Sequence, residues 1–254
     1  MSQIKSNIAT LTDELTSLKR NGRKAFAVLL DPDKLATQNI EEVVDCAIDA
    51  GVTFFFVGGS LLINNDIHQI IPQIKALCDI PVILFPGSIQ QIIPSADAIF
   101  FLSLISGRNA DLLIGNHVLA APIIRQTKLE VIPTGYMLIE SGKMTTANYI
   151  SNSFPIPYDK PDIAVCTAMA GEMLGLRVLY MDGGSGAQHV IPLEMIRAVS
   201  KHVNIPIIIG GGIRSKAEAL AVWEAGAEVV VVGNALEKED GRELMREIGE
   251  ALKQ

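Results

Sequence analysis

Tyr180-Met181-Asp182-Gly183-Gly184-Ser185-Gly186-Ala187 is an apolar, strand-forming segment that breaks into glycines. Glycine has no Cβ and tolerates positive φ, so such a turn can bring bare backbone N–H groups close to a ligand. Two later segments end the same way, Ile209-Gly210-Gly211-Gly212 and Val232-Gly233-Asn234. One glycine turn after a strand is ordinarily only a turn. Three at the ends of successive strands read as a cradle for a phosphate. Ser215 is a candidate N-cap before Lys216-Ala217-Glu218, and a helix N-terminus adds a dipole that favours an anion. In an eightfold βα barrel the loops after the last strands commonly hold phosphate.

The rest of the chain supplies the units such a barrel needs. Apolar, β-branched runs alternate with longer helical patterns, the signature of parallel βαβ units. The expected strands are 25–30, 53–57, 82–85, 98–102, 130–137, 177–181, 206–209 and 228–232. The helical stretches between and after them are 41–50, 68–78, 89–94, 112–126, 162–174, 192–202, 216–225 and 241–253, with an extra N-terminal helix over 4–19. The fold class is therefore α/β, a (β/α)8 TIM barrel with an extra N-terminal helix. An open doubly wound sheet is the alternative, because strand order alone does not show whether the first strand meets the last. A length of 254 residues suits one domain spanning 1–254, since barrels of ~250 residues fold as single units. Gly87 and Pro94 bracket the short stretch 89–94. The connection 139–161, with Gly142, Pro155, Pro157 and Tyr158, is long for a βα loop and reads as a lid or an oligomer contact.

Composition narrows the partners. Hydrophobic residues make up 49% and charged residues 19%, enough apolar material for a sizeable core. A net charge of -7 argues against a nucleic-acid partner, whose phosphates need a basic surface. Any phosphate must be met locally. Cys46, Cys78 and Cys166 show no Cys-x-x-Cys spacing and read as small buried hydrophobes. No run approaches the ~18 apolar residues of a membrane span, and the N-terminal stretch is too polar for a signal region. The expectation is a cytoplasmic protein. Few charges interrupt 112–124, so that helix offers an apolar face for association into a homo-oligomer.

Leu30-Asp31-Pro32-Asp33-Lys34 ends the first strand on the same face as the glycine turns. A strand-end aspartate beside a phosphate site is a good hard-oxygen ligand for Mg²⁺, which takes one or two protein oxygens and keeps water and phosphate for the rest. Ser60, after Val57-Gly58-Gly59, offers a neighbouring oxygen. The plainer reading is an Asp-Pro-Asp turn that caps the next helix, and Asp33 fits it better than Asp31. Phe85-Pro86-Gly87-Ser88, 103–109 and Pro133-Thr134-Gly135-Tyr136 add apolar and small polar groups at other strand ends, a wall suited to an oily tail. Phe85 and Tyr136 serve equally well as packing residues. Arg108 is within conceivable reach of a diphosphate. His68, His117, His189 and His202 lack metal spacing and a nucleophile elbow, and none is assigned to chemistry.

These motifs, in this order, resemble the geranylgeranylglyceryl phosphate synthase family over nearly the whole chain: Leu-Asp-Pro-Asp-Lys, Val-Gly-Gly-Ser, Phe-Pro-Gly, Tyr-Met-Asp-Gly-Gly-Ser-Gly-Ala, Gly-Gly-Gly-Ile-Arg-Ser and Val-Val-Val-Gly-Asn-Ala. The resemblance implies a TIM barrel that joins C1 of a polyprenyl diphosphate, geranylgeranyl or the heptaprenyl of bacterial relatives, to the 3-hydroxyl of sn-glycerol 1-phosphate with Mg²⁺. It implies Mg²⁺ on Asp31 and Ser60. It implies glycerol phosphate on Tyr180, Met181, Asp182, Gly183, Gly184, Ser185 and Gly186, on Gly211 and Gly212, and on Gly233 and Asn234. Asp182 would be the base for the glycerol hydroxyl, with Tyr180 positioning the glycerol, and the ether product would partition to membranes. The family mostly carries Glu where this chain has Asp182, so the carboxylate stands one methylene further from that hydroxyl. Two other readings use the same turns. A phosphosugar isomerase or aldolase-like barrel needs a lysine or a paired acid and base at strand ends, where Lys34 is the nearest lysine. A non-catalytic phosphate-binding barrel needs Asp31 and Asp182 to be structural.

Overall fold

A computed structural model describes residues 10–35, 39–64, 66–233 and 241–253. Its eight strands are β1 (Ala25–Leu30), β2 (Phe54–Val57), β3 (Val82–Leu84), β4 (Ala98–Leu104), β5 (Glu130–Leu138), β6 (Val178–Asp182), β7 (Ile207–Gly210) and β8 (Val229–Val232). They form a closed barrel in sequence order. Every neighbour is parallel, and closure is made by β1 on β8 with Val28 opposite Val232. The closed barrel excludes the open-sheet alternative.

The strands close because each is apolar on both faces. Inside the barrel lie Ala25, Ala27, Phe54, Phe56, Ala98, Phe100, Tyr180 and Ile208. Large aromatics beside small alanines fill the interior without leaving a pore. The alternate residues, such as Phe55, Val57, Met181 and Ile209, face outward into a second cluster under the helices.

The helices are α1 (Leu11–Asn21), α2 (Pro32–Leu35), α3 (Ile40–Ala50), α4 (Ile67–Leu77), α5 (Asn116–Ile124), α6 (Thr146–Ser151), α7 (Pro161–Met173), α8 (Leu193–His202), α9 (Lys216–Ala225) and α10 (Gly241–Leu252). The N-terminal helix starts later than expected. Thr10 and Asp13 form a capping box that fixes its first turn, while 4–9 lie outside the described residues. Leu15 and Leu18 of α1 join the interior cluster. The Glu130 carboxylate accepts the N–H groups of Leu11 and Thr12 at 2.7 and 2.8 Å, which seats α1 against the start of β5.

Three further expectations change. Residues 89–94 make only a 3₁₀ turn, Ile89–Gln91. The stretch 112–126 opens as a π-helical turn, Asp111–Gly115, before α5, and leaves Ile114, Val118, Leu119 and Ile123 exposed. Of the cysteines, Cys46 is buried but Cys78 is half-buried and Cys166 exposed, because α7 turns Cys166 toward its outer face.

Candidate active site

β6 runs one residue further than its sequence suggests, so Asp182 is itself part of the ladder, opposite Gly210. Side chains alternate across a strand, and this decides what β6 can offer. Tyr180 and Asp182 point inward. Met181 points outward and is fully buried under the helices, so it is removed from the substrate-contact set. The Tyr180 ring stacks on Phe85 at 4.8 Å and forms the floor of the mouth. A Cβ at Gly210 would stand 2.7 Å from the Tyr180 hydroxyl, so only glycine fits above that ring.

The glycine turns converge as the sequence implies, but their donors divide between two jobs. Gly183 N–H donates to Gly210 O at 3.0 Å. Gly184 N–H donates to Asp182 Oδ1 at 2.7 Å. Both amides are therefore structural. Gly186, Gly211, Gly212 and Gly233 line one cavity of about 330 Å³ together with Asp31, Ser60, Tyr180 and Asp182. Among the described residues, no hydrogen bond engages the N–H groups of Gly186, Gly211 and Gly212. Gly211 and Gly212 are half-buried and Gly186 is exposed at the rim; backbone donors converging in this way suit an anion. Asn234 lies outside the described residues. Arg214 braces the cradle rather than the ligand, donating to the carbonyls of Ala187 and Gln188. Lys143, unmarked by any sequence motif, reaches over the turn. A Cβ at Gly186 would stand 3.2 Å from its Nζ.

Asp182 is only 8% exposed. Its Oδ2 accepts the Tyr136 hydroxyl at 2.6 Å, while Oδ1 accepts Gly184 N–H. Burial pushes the carboxyl above the ordinary aspartate range, and the hydrogen bonds from Tyr136 and Gly184 work against that rise. Burial and the neighbouring Asp182 charge hold the Tyr136 phenol well above its usual range, so it stays a donor. A carboxylate shifted this way, fixed at both oxygens, is a candidate general base.

The Asp-Pro-Asp turn separates as the residues suggest. Asp33 accepts Ile63 N–H and Asn64 N–H at 2.6 and 3.0 Å, fastening the loop after β2. Asp31 lines the cavity, with Lys34 Nζ 3.7 Å from its Oδ2, and it also accepts Asp33 N–H at 3.1 Å. It thus caps α2 and faces the site at once. The Asp31 carboxylate and the Ser60 hydroxyl line the same cavity, and both are hard oxygen donors of the kind Mg²⁺ takes.

A second, apolar cavity of about 140 Å³ runs beside the first, between β3–β5 and α5. Leu102, Leu104, Leu112, Ala120 and Ile124 give it its character. Ser60 lines both cavities. Tyr136 lines the apolar one and bonds Asp182 in the polar one. Connection 139–161 forms the wall between them: Thr146 faces the polar cavity, and Ala147, Ile150 and Ser151 face the apolar one. It is fastened by Ser141 Oγ to Gly183 O at 2.7 Å and by the Thr145 side chain packed beneath Gly184. His117 is a wall residue here, edge-on to Phe101 at 4.4 Å. Arg108 is withdrawn from a diphosphate role, because its guanidinium is turned back onto the carbonyls of Ile105 and Gly107.

The PcrB family model matches residues 19–252. A geranylgeranylglyceryl phosphate synthase of Chitinophaga pinensis is 53% identical over 234 residues, covering 92% of each chain. The enzyme of that name from Spirosoma linguale is 52% identical over 225 residues, covering 89% of this chain and 90% of its own. The crystal structure of (S)-3-O-geranylgeranylglyceryl phosphate synthase from Thermoplasma acidophilum, in complex with substrate sn-glycerol-1-phosphate, superposes with a TM-score of 0.90. It shares 34% identity and covers 97% of this chain and 99% of its own.

Proposed function

The chain belongs to the PcrB family, and on that premise we propose that it joins a polyprenyl diphosphate, of geranylgeranyl length, to the 3-hydroxyl of sn-glycerol 1-phosphate. It is a prenyltransferase of the geranylgeranylglyceryl phosphate synthase kind. One observation carries the finer reading: a polar cavity with free glycine amides and a buried carboxylate meets an apolar groove at Ser60. A phosphosugar enzyme needs the first cavity and has no use for the second. Moreover, Lys34, the lysine that lines the polar cavity among the described residues, is ion-paired with Asp31.

In this reading the amides of Gly186, Gly211, Gly212 and Gly233 hold the glycerol phosphate, with the Lys143 ammonium nearby to offset its charge. Tyr136 and Gly184 fix the Asp182 carboxylate. The groove takes the prenyl tail and leaves C1 at its open end near Ser60. The bond from C1 to the diphosphate oxygen breaks and its electron pair leaves with diphosphate. The glycerol oxygen bonds to C1, and Asp182 accepts the hydroxyl proton. Holding both substrates in line converts a bimolecular encounter into an oriented one. Asp31 and Ser60 would hold Mg²⁺, whose charge offsets that of the leaving diphosphate.

Purified protein supplied with both substrates and Mg²⁺ is expected to give an acid-stable prenyl glyceryl ether phosphate, identified by mass spectrometry, and none after chelation. Product formation undiminished in chelator would remove the metal from the reading. No ether under any condition would remove the reaction.

A further inference from the structure

Gln91 ends the 3₁₀ turn Ile89–Gln91 and is 4% exposed, a buried amide beside the site that the chemistry above does not use. The β2–β3 ladder stops at Val57 opposite Leu84, with one last bond from Phe85 N–H to Val57 O at 2.9 Å. Beyond it the chain after β2 runs Gly58-Gly59-Ser60 with no strand on the β3 side, while on the other side Gly58 N–H still donates to Leu30 O of β1 at 3.2 Å. The Gln91 side chain takes the place of that strand. Its Nε2 donates to Gly59 O at 2.9 Å, and its Oε1 accepts Gly59 N–H at 3.3 Å and Gly87 N–H at 3.2 Å. The two loops meet backbone to backbone, since a Cβ on Gly58 would fall 2.2 Å from Phe85 O and one on Gly87 2.3 Å from Gly59 O. One amide therefore staples a contact made close by two glycines.

What the staple fixes is the seam of the two cavities. Ser60, next to Gly59, lines both, and Gly87 and Ser88 line the mouth of the groove. The glycine turns for glycerol phosphate stand on β6 to β8, across the barrel mouth. Resting on the reading proposed above, we infer that Gln91 is a positioning residue for the diphosphate end of the prenyl substrate, holding the Ser60 and Gly87 loops where tail and leaving group part. Loss of its three hydrogen bonds would leave the half-buried Gly59 groups without their protein partner and untie Gly87 from Gly59, letting the seam widen.

The test is Gln91→Met, which keeps length and removes all three bonds, with Gln91→Glu as the companion that keeps the acceptor for Gly59 and Gly87 but loses the donor. Three readouts are taken: KM for each substrate, calorimetric affinity for inorganic diphosphate with Mg²⁺, and Tm. Gln91→Met is expected to raise KM for the prenyl diphosphate about 10-fold and weaken inorganic diphosphate by a similar factor, the size of one net hydrogen bond. KM for sn-glycerol 1-phosphate should stay within about twofold, because no bond of Gln91 reaches the β6 to β8 turns. Gln91→Glu should fall between the two and covers the case in which the Met variant does not fold. An unchanged diphosphate affinity in a folded variant overturns the proposal, as does an equal rise in both KM values, which would mark a purely structural role. If the wild-type chain makes no ether, the function fails while the diphosphate affinities still decide the role of Gln91.

Discussion

Asp182→Asn is expected to lower turnover by ~10²–10⁴-fold while sn-glycerol 1-phosphate still binds nearly as well. The amide has almost the volume of the acid. Its oxygen can keep Gly184 N–H, now held at 2.7 Å by Oδ1, and its NH₂ can donate to the Tyr136 oxygen, which rotates from donor to acceptor. The local structure therefore survives and only proton acceptance is lost. The pH profile gives a second reading of the same group. Because burial raises the Asp182 pKa, the base is lost as pH falls through that raised value, so the acidic limb of kcat/KM should lie above the ordinary aspartate range. In Asp182→Asn that limb should vanish. Near-wild-type turnover would leave proton transfer to water and reduce Asp182 to a cap of the glycine turn.

The second large effect belongs to Gly211→Ala. Gly211 has φ +86, and an added Cβ would stand 2.9 Å from both Gly183 N and Gly184 N. Forcing a side chain into left-handed backbone costs about 1–3 kcal/mol by itself. The clash adds to this and pushes the β7 turn off the β6 turn, which spreads the free amides. The expected outcome is a KM for sn-glycerol 1-phosphate raised by roughly 10²-fold, the loss of two good hydrogen bonds to a charged group. The prenyl diphosphate KM should change little, because its groove lies against β3 to β5. Equal damage to both substrates, or none to either, would show that the glycerol phosphate is not held by these turns.

Much of this was legible in the chain. The eight apolar runs encode parallel strands because each must be buried on both faces, and glycine at a strand end marks a place where backbone must approach something closely. Asp31, Ser60, Asp182 and the glycines after β6, β7 and β8 were readable because strand ends of one barrel share a face. Met181 belongs to the glycine motif in sequence but, by the two-residue period of its strand, faces the helices. The partners were harder. Tyr136 reaches Asp182 across 46 positions of sequence, and nothing local distinguishes it from a packing aromatic. Gln91 and Lys143 sit in segments without a motif, and their roles depend on register between loops, which no periodicity carries. The start of α1 at Leu11 and the shortness of the turn at 89–91 were out of reach for a related reason. Capping at Thr10 and the contact of Gly87 with Gly59 decide them, and one is a matter of side-chain geometry, the other of tertiary packing.

In the proposed reaction the two cavities act as one site around Asp182. Its most direct test is a crystal structure of the protein with sn-glycerol 1-phosphate and an unreactive thio-analogue of the prenyl diphosphate bound together. The predicted result places the phosphate on the amides of Gly211 and Gly212, the tail in the groove beside Leu112 and Ala120, and the 3-hydroxyl within about 3.2 Å of an Asp182 oxygen and facing C1. A 3-hydroxyl turned away from Asp182, or a tail lying outside the groove, would contradict it.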